Sequence, residues 1–361
     1  MKFTVQLKPF LDAVNLVSSV VPSRPTHPIL GNILMVVKDG EIHLTGFDLV
    51  TSVEIKIDAL VEVEGRTTIP SKLIQNILSK ISEQDVSITL DNEFITLQTK
   101  HDVFKVQCYE AEEYPSIDKE DSNIAVPLSK EIVSAIVKKV IPSTSKDETK
   151  TILQGVNLKY NDGDECLNVA ATTGHCLAWL QVPFEYSDSF ELTANPQPFS
   201  LISKLNYEGD ATLSIGDNKF AIQAGDVKIW SRGYAGSYPN YFQLIPNKFE
   251  RTFDIDKAQL TSAIDKVAIF HDKPNGGGKL SFSDSLSVEP IGNNPNNGKV
   301  QVNLKESVDS FEVGFNLTYL KNAVKCFDTK YVSLYCNGQI QPAIIKDENY
   351  IHLIMPVRLD S

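Results

Sequence analysis

Cysteine is scarce in this chain. There are five, an odd number, and no C-x-x-C occurs. That excludes a disulfide framework and a zinc ribbon. Long apolar runs are missing too. None approaches the roughly 18 residues a membrane helix needs, and the opening "MKFTVQLKPFLDAV" has no apolar core followed by a small-residue cleavage site. The expectation is a cytoplasmic protein with no membrane partner, in which the "NLT" sequon at Asn316 carries no meaning. His27, His43, His101, His271 and His352 are scattered without metal-ligand spacing, so no metal is expected. A phosphate loop is missing as well. "NGGGKL" at 275–280 has Leu280 where Ser or Thr is needed, and no glycine stands five residues before Gly278. It reads as a hairpin loop, as does "GNNPNNG" at 292–298, and no cofactor is expected. The run "YEAEEYP" at 109–115 reads as a solvated linker edge. Positive charge is in deficit: the net charge is -12, which as a sum argues against nucleic acid.

What is present is a repeat. A helix, a strand, a tight turn, a second strand and a proline stop occur three times, about 120 residues apart. The copies are "IPSKLIQNILSKISEQDVSITLDNEFITLQT" closing at "YPSI", "PQPFSLISKLNYEGDATLSIGDNKFAIQAG" closing at "YPNY", and "LTYLKNAVKCFDTKYVSLYCNGQIQPAII" closing at "MPVRL". In the first, Leu73, Ile74, Ile77, Leu78 and Ile81 mark one helical face, and Val86, Ile88 and Leu90 alternate as a strand. Turns are expected at Asp91-Asn92, Gly216-Asp217-Asn218 and Asn337-Gly338. A second pattern opens with "LKPFLDAVNLVSSVV", "SKEIVSAIVKKVI" and "DKAQLTSAIDKVAIF", and strands follow that turn at Asp39-Gly40 and Asp162-Gly163. The fold class is α+β, in three domains at 1–120, 121–248 and 249–361, each of two helix-plus-sheet units.

"NVAATTGHCLAWL" at 168–180 sets His175 beside Cys176, a pair that invites nucleophilic catalysis. Neighbours on an extended segment point to opposite faces, so the two side chains are not expected to meet. The repeat matches "HLTGFDLVT" to "AATTGHCLAW", Thr45-Gly46 to Thr173-Gly174 and Leu49 to Leu177. On that match the Thr-Gly turn is scaffold, and only His175 and Cys176 are special to the second copy. The C-terminal "NYIHLIMPVRLDS" alternates, so that Leu353, Met355 and Val357 are expected on one face, as core or as the border of a groove.

Charge is segregated. Six helices are expected at 8–21, 71–82, 129–141, 198–207, 256–269 and 317–327. They hold eleven lysines (Lys8, Lys72, Lys80, Lys130, Lys138, Lys139, Lys204, Lys257, Lys266, Lys321, Lys325) against four acids (Asp12, Glu131, Asp256, Asp265). The helices thus carry +7 and the remainder -19. Two readings stand open: lysines that solvate outer helix faces, or a basic side that follows a phosphate backbone. With no compact basic patch and no aromatic stacking series, base readout is not expected.

Taken with "MKFTV", "RPTHPILGN" at 24–32, "TTIPSKL" at 67–73, "ATTGHCLA" at 171–178, "YPNYFQLIP" at 238–246, "VGFNLTYL" at 313–320 and "MPVRL" at 355–359, the whole chain resembles the bacterial DNA polymerase III β subunit, or sliding clamp, family. The resemblance implies the DNA-clamp fold and a head-to-tail homodimer whose helices line a ring around double-stranded DNA, without catalysis. It implies partners that carry a short clamp-binding motif: the replicative polymerase, the clamp loader and repair proteins. It implies a peptide pocket of Leu153, Thr172, Gly174, His175, Cys176, Leu177, Pro239, Leu244, Ile340, Pro342, Leu353, Met355 and Pro356, with Asn316 and Tyr319 nearby. Arg24 and Lys72 match DNA-contact positions, and helix position adds Lys138, Lys139, Lys204 and Lys266. Phe104, Val106, Ile269 and Phe270 match ring-interface positions. Cys176 and Gln243 stand where the family commonly has basic residues, Asp147 puts the opposite charge at a DNA-contact position, and Asp360-Ser361 extend past the usual end toward the pocket rim. The rival readings are a Cys-His hydrolase and a monomeric peptide-binding adaptor.

Overall fold

In the computed structural model, which describes residues 1–115, 124–271, 276–292 and 296–359, the chain gathers into two units. Unit 1 joins Met1–Lys130 to Gln197–Gly233, and unit 2 joins Glu131–Pro196 to Tyr234–Ser361. Six α-helices are described: α1 (Leu7–Ser18), α2 (Ser71–Leu78), α3 (Lys130–Ala135), α4 (Pro196–Ile202), α5 (Lys257–Ala268) and α6 (Leu317–Lys325). A π-helical turn, Ile136–Val140, continues α3. Leu7, Phe10, Ala13, Val14 and Val17 give α1 its buried face at helical spacing. Asp256 caps α5 by accepting from the Gln259 N–H at 2.9 Å. Asn316 caps α6 by accepting from Thr318 and Tyr319 at 2.9 and 3.2 Å. The helices are shorter than the lysine pattern predicts. Lys80 and Lys204 lie in turns just past α2 and α4, where i-to-i−3 bonds from Lys80 to Ile77 and from Lys204 to Leu201 tighten the last coil.

Each unit holds one eight-stranded and one five-stranded sheet, all antiparallel. In unit 1 the large sheet runs Ile124–Leu128, Ala211–Ile215, Lys219–Ala224, Val227–Arg232, Thr51–Asp58, Glu41–Phe47, Asn32–Lys38, Gly65–Pro70. Its centre is the pairing of Thr51–Asp58 with Val227–Arg232. In unit 2 the order is Phe190–Ala194, Val156–Tyr160, Cys166–Thr172, Cys176–Pro183, Tyr350–Ile354, Ala343–Lys346, Tyr331–Cys336, Arg251–Asp256. Here Cys176–Pro183 pairs with Tyr350–Ile354 at the centre.

Alternation gives the unit 2 sheet two different faces. Ala178, Leu180, Tyr350 and His352 point inward. The Tyr350 hydroxyl donates to the Lys139 carbonyl in the π-helical turn at 2.7 Å and lies 2.8 Å from His352 Nδ1. Leu177, Trp179, Ile351 and Leu353 point the other way.

Expected turns are found at Asp39-Gly40, Asn92 and Gly163, all with positive φ. Two expectations fail. Asn337-Gly338 begins a longer loop, because the Asn337 side chain is engaged with Glu250 N–H and the Lys248 carbonyl. "GGGKL" is a strand rather than a loop: Gly277–Phe282 pairs on both sides. A Cβ on Gly278 would come within 2.3 Å of Leu317, so glycine there serves close packing. Part of "GNNPNNG", and the boundary expected at 120–121, lie outside the described residues. "YEAEEYP" is more than solvated edge. Tyr109 bridges to Thr68, Glu112 pairs with Arg66 at 2.5 Å, and Tyr114 is buried. No helix among the described residues is long and apolar enough to cross a membrane.

Two stability predictions follow from the packing. A Cβ on Gly46 would stand 2.1 Å from the Val17 carbonyl oxygen, whereas Gly163 (φ +87°) faces open space. Gly46→Ala is expected to cost about 3 kcal/mol, the upper part of the overpacking range, and Gly163→Ala about 1 kcal/mol, read from guanidinium unfolding midpoints. His352 is fully buried, and burial holds its pKa down to about 3 from 6.5. The unfolded chain therefore takes up this proton first as pH falls. The stabilisation is complete above pH 6.5 and is lost toward pH 3, by at most about 1.4 kcal/mol per pH unit. His352→Gln is expected to flatten the acid limb of the stability curve.

Candidate functional site

The site is built around one turn. Between strands Cys166–Thr172 and Cys176–Pro183, the Thr173 hydroxyl accepts from the His175 and Cys176 N–H groups at 3.1 and 3.2 Å. The Thr173 N–H donates to the Cys176 carbonyl. Gly174 takes φ +89°, which favours glycine. Two contacts pin the turn: the Thr172 N–H donates to the buried Tyr238 hydroxyl at 3.0 Å, and the Met355 N–H donates to the His175 carbonyl at 2.8 Å.

Unit 1 contains the same device. Asp48 Oδ1 accepts from Val50 and Thr51 at 2.8 and 2.6 Å, Leu49 takes φ +76°, and the Arg232 N–H donates to the Val50 carbonyl at 3.2 Å. This corrects the sequence match by three positions. Asp48 corresponds to Thr173, and Leu49 to Gly174 rather than Leu177. Thr45-Gly46 lies inside strand Glu41–Phe47. The two Thr-Gly pairs look alike but differ in purpose, since Gly46 makes room for the Val17 carbonyl and Gly174 supplies a turn.

With the turns superposed in sequence, the outer faces differ in chemistry. Strand pairing sets Ser52 against Trp230 and Glu54 against Lys228 in unit 1. In unit 2 the same places hold Leu177 against Leu353 and Trp179 against Ile351. Met355 takes the place of Arg232. Unit 2 therefore carries a continuous apolar patch where unit 1 sets one tryptophan, Trp230, among Ser52, Glu54, Lys228 and Arg232. Ala170, Leu177, Tyr238, Tyr241, Ile344 and Leu353 form its buried floor, with Ile152, Leu153, Trp179, Ile245, Phe249, Tyr335, Ile351 and Met355 half-buried against it.

The residues named from sequence are distributed around this floor. Leu177 and Leu353 lie in it, and Leu153 and Met355 pack on it. Thr172, Gly174, His175 and Cys176 form the turn. Pro239 and Leu244 are exposed on the segment that carries Tyr238 and Tyr241, Leu244 at 54%. Ile340 is 76% exposed in the loop leading through Pro342 to Ala343–Lys346. The His175 ring stacks on Tyr319 at 6.4 Å, which brings the start of α6 to the turn, while the Asn316 side chain serves as its helix cap. Val357 does not share the Leu353 face. The chain leaves the large sheet at Met355, and Pro356–Val357 pairs with Phe311–Asn316 at the edge of the five-stranded sheet. Asp360-Ser361 lie outside the described residues. Sequence reasoning missed Tyr238, Tyr241, Ile344 and Trp179. The tyrosines are three apart in "YPNYFQLIP", a helical spacing, and Ile344 follows from alternation.

Cys176 and His175 do not form a nucleophile and base. The Cys176 sulfur is buried and meets the Thr173 hydroxyl at 3.4 Å, and burial pushes its pKa up. A raised thiol pKa removes the thiolate that such chemistry needs. Asp147 is also accounted for locally: its carboxylate accepts from the Thr149 N–H and hydroxyl at 3.0 and 2.7 Å, bonds that hold its pKa down.

The helix lysines divide into two sets. Lys138 pairs with Asp328 at 2.6 Å and holds that carboxyl below its usual pKa, and Lys139 pairs with Asp347 at 3.3 Å. Lys321 pairs with Asp265, while Lys130 and Lys257 donate to the Tyr207 and Phe327 carbonyls. Lys8, Lys72, Lys80, Lys204, Lys266 and Lys325 have no ion pair among the described residues, and Arg24 is exposed in the loop after α1. At the expected ring-interface positions, Phe104 is half-buried and Val106 buried on the edge strand Val103–Gln107, where Val103 is the side chain facing out. Ile269 is 78% exposed at the end of α5, and Phe270 is half-buried against Gly298.

Three family models match the chain in order: the DNA polymerase III beta subunit N-terminal domain over residues 1–118, the central domain over 127–240 and the C-terminal domain over 242–358. The Beta sliding clamp of Synechococcus elongatus is 29% identical over 378 residues, covering 100% of both chains. That of Staphylococcus aureus is 28% identical over 381 residues, covering 99% of each. Among solved structures, the DNA polymerase sliding clamp of Bacillus subtilis aligns with a TM-score of 0.91 at 23% identity over 99% of each chain. The DnaN sliding clamp of Bartonella birtlesii bound to griselimycin aligns at 0.92 and 22%, again over 99% of each. These two likenesses are of fold.

Of the five thiols, Cys166 alone is not buried. A thiol reagent on the folded protein is expected to give one fast equivalent. Cys166→Ser should abolish it and Cys176→Ser should leave it unchanged.

Proposed function

We propose a function on one premise: the chain belongs to the DNA polymerase III beta subunit family. It is a DNA sliding clamp. The observation that carries this is the ordered run of three family domains over nearly the whole chain, together with relatives of that name that match it end to end. The domains divide near 120 and 248.

In this reading two copies close head to tail. The open edge strand Val103–Gln107 with Phe104 meets the end of α5 with Ile269 and Phe270, and an exposed Ile269 fits a surface that is covered in the assembly. The ring encircles double-stranded DNA and breaks no bond. Arg24, Lys72, Lys204 and Lys266 reach phosphates directly, while Lys138 and Lys139 exchange Asp328 and Asp347 for them. Such contacts are screened at physiological salt and carry no sequence information, which suits sliding. The unit 2 patch takes the short motif of the replicative polymerase, the clamp loader and repair proteins, with apolar anchors over Leu177, Leu353 and Met355 and polar groups at the Thr172–His175 turn. The work is done in the cytoplasm, without cofactor or metal.

Native mass is the primary test. The chain is 40.0 kDa, so the dimer should weigh about twice that on dilution, and Ile269→Asp should shift it to the single-chain value. A monomer at every concentration would favour an adaptor instead. The closed ring is expected to stay on nicked circular duplex and to leave when the circle is cut. Met355→Ala with Leu244→Ala is expected to weaken a polymerase motif peptide by about tenfold at unchanged native mass, since the two truncations together remove apolar contact worth on the order of 1–2 kcal/mol. Unaltered affinity would remove the pocket assignment.

A further inference from the structure

We propose that the edge strand Leu60–Val63 and the acidic cleft beside it form a second docking surface, for a partner-protein segment that sets an aliphatic side chain close to a lysine or arginine. The surface lies wholly in unit 1 and does not depend on the unit 2 groove.

The first support is a bulge. Leu60–Val63 pairs with Lys2–Gln6 and closes one edge of the five-stranded sheet of unit 1. Thr4 faces Leu60 and Phe3 faces Val61, but Lys2 faces Val63, so Glu62 is an extra residue in the ladder. In a regular strand Leu60 and Val63 would point to opposite faces. The bulge turns both to the side of Lys2 and Thr4, away from the buried Phe3. Val63 is 53% exposed and Leu60 77%. Only two other large apolar side chains among the described residues are as open as Leu60, and both have been given a cover: Ile269 at the ring contact and Ile340 at the groove. Leu60 has none so far.

The second support is the internal repeat. Lys2–Gln6, Ile124–Leu128 and Arg251–Asp256 each lead into the first helix of their domain. The last two end their sheets, with one bridge from Ile255 to Leu304 beyond the third. The first repeat alone adds a full strand there, so the repeated architecture does not require Leu60–Val63. The bulge interrupts the ladder on that strand, which favours contact through side chains over addition of a further strand.

The third support is charge. Leu60 also lines a cleft of about 760 Å³ that holds Glu41, Asp58, Asp85 and Asp226 against one cation, Lys56. Strand pairing sets Glu41 directly opposite Asp58, an arrangement that repels. Lys56 approaches Glu41 at 4.0 Å, and His43 lies 3.1 Å from it, but burial lowers the His43 pKa and keeps that ring uncharged at neutral pH. Lys2, on the same sheet face, is taken by Glu62 at 2.6 Å. Asp58, Asp85 and Asp226 have no ion pair among the described residues. A lysine or arginine entering the cleft relieves the repulsion while its aliphatic neighbour covers Leu60. The same charge repels phosphate, which sets aside nucleic acid and anionic lipid. Val103–Gln107 is the opposite edge of this sheet, four strand spacings or about 19 Å away, so a ring closed there leaves Leu60 open.

The test is a display library of random heptapeptides panned against the full-length chain carrying Met355→Ala and Leu244→Ala, which keeps the unit 2 groove from dominating the selection. The expected result is enrichment of an aliphatic residue within two positions of a lysine or arginine. A selected peptide should bind about tenfold more weakly when Leu60→Ser is added, and about three- to fivefold more weakly when Asp58→Asn and Asp85→Asn are added together. All three positions are exposed, and native mass and unfolding midpoint should not move. Leu60→Ser leaves the charge unaltered, so it separates docking from general attraction of basic peptides to an acidic chain. No enrichment, an acidic or uncharged consensus, or a selected peptide that binds undiminished to either variant overturns the proposal. Because the groove substitutions are present in every arm, each of these outcomes leaves the ring and groove readings as they stand.

Discussion

The 2.8 Å bond from the Met355 N–H to the His175 carbonyl is where the unit 2 surface is decided. It ends the pairing of Cys176–Pro183 with Tyr350–Ile354, two segments far apart in the sequence, and sets their register. Strand side chains alternate, so a slip of Tyr350–Ile354 by one residue would send Leu353 and Ile351 inward and bring His352 to the surface beside Leu177. The slip is opposed from the inner face by the Tyr350 hydroxyl on the Lys139 carbonyl, and from the turn by Thr173, which satisfies two backbone donors at once. The groove depends on polar bonds that are not themselves part of it.

The electrostatics follow a similar division. A net charge of -12 suggests a protein that avoids DNA. Yet of the helix lysines only Lys138, Lys139 and Lys321 are paired with carboxylates, which leaves the larger set, including Lys72, Lys204 and Lys266, uncompensated by ion pairs among the described residues. Exposed pairs of this kind contribute little to stability, so exchanging a carboxylate for a phosphate costs little. That makes an acidic protein compatible with a polyanion, provided the contacts stay weak and many.

Much of the fold was legible in the sequence because it rests on local periodicity: the faces of α1 and α2, the strand alternation and the glycine and asparagine turns. What was misread depends on tertiary contact. "GGGKL" has loop composition, but its glycines are there so that Leu317 can approach a strand. Thr45-Gly46 and Thr173-Gly174 share letters while one makes room for a backbone carbonyl and the other turns the chain, and only the hydrogen bonds separate them. Val357 continues the alternation of Leu353 in sequence but belongs to another sheet, since the chain changes sheets at Met355. At the site, Leu177, Leu353 and Met355 could be named by resemblance. Tyr238 and Tyr241 were hidden because their role comes from a connector folding back over a sheet face, whereas Trp179 shares the Leu177 face by strand alternation and could have been named from it.

The internal repeat turns these observations into an argument about function. Two strand junctions have the same turn, a positive φ at the same position (Leu49 and Gly174) and the same closing bond, so the backbone has no reason to prefer one side-chain set over the other. Unit 1 sets Ser52, Glu54, Lys228 and Arg232 around Trp230, with Ser52 buried and Lys228 over the indole. Unit 2 pays for an apolar set, with Leu244, Phe242 and Ile340 left in water. An exposed apolar patch lowers solubility and adds nothing to the isolated chain. The difference between the twin junctions, which runs from Leu177 to Trp179 and Ile351, is therefore not one that the backbone requires.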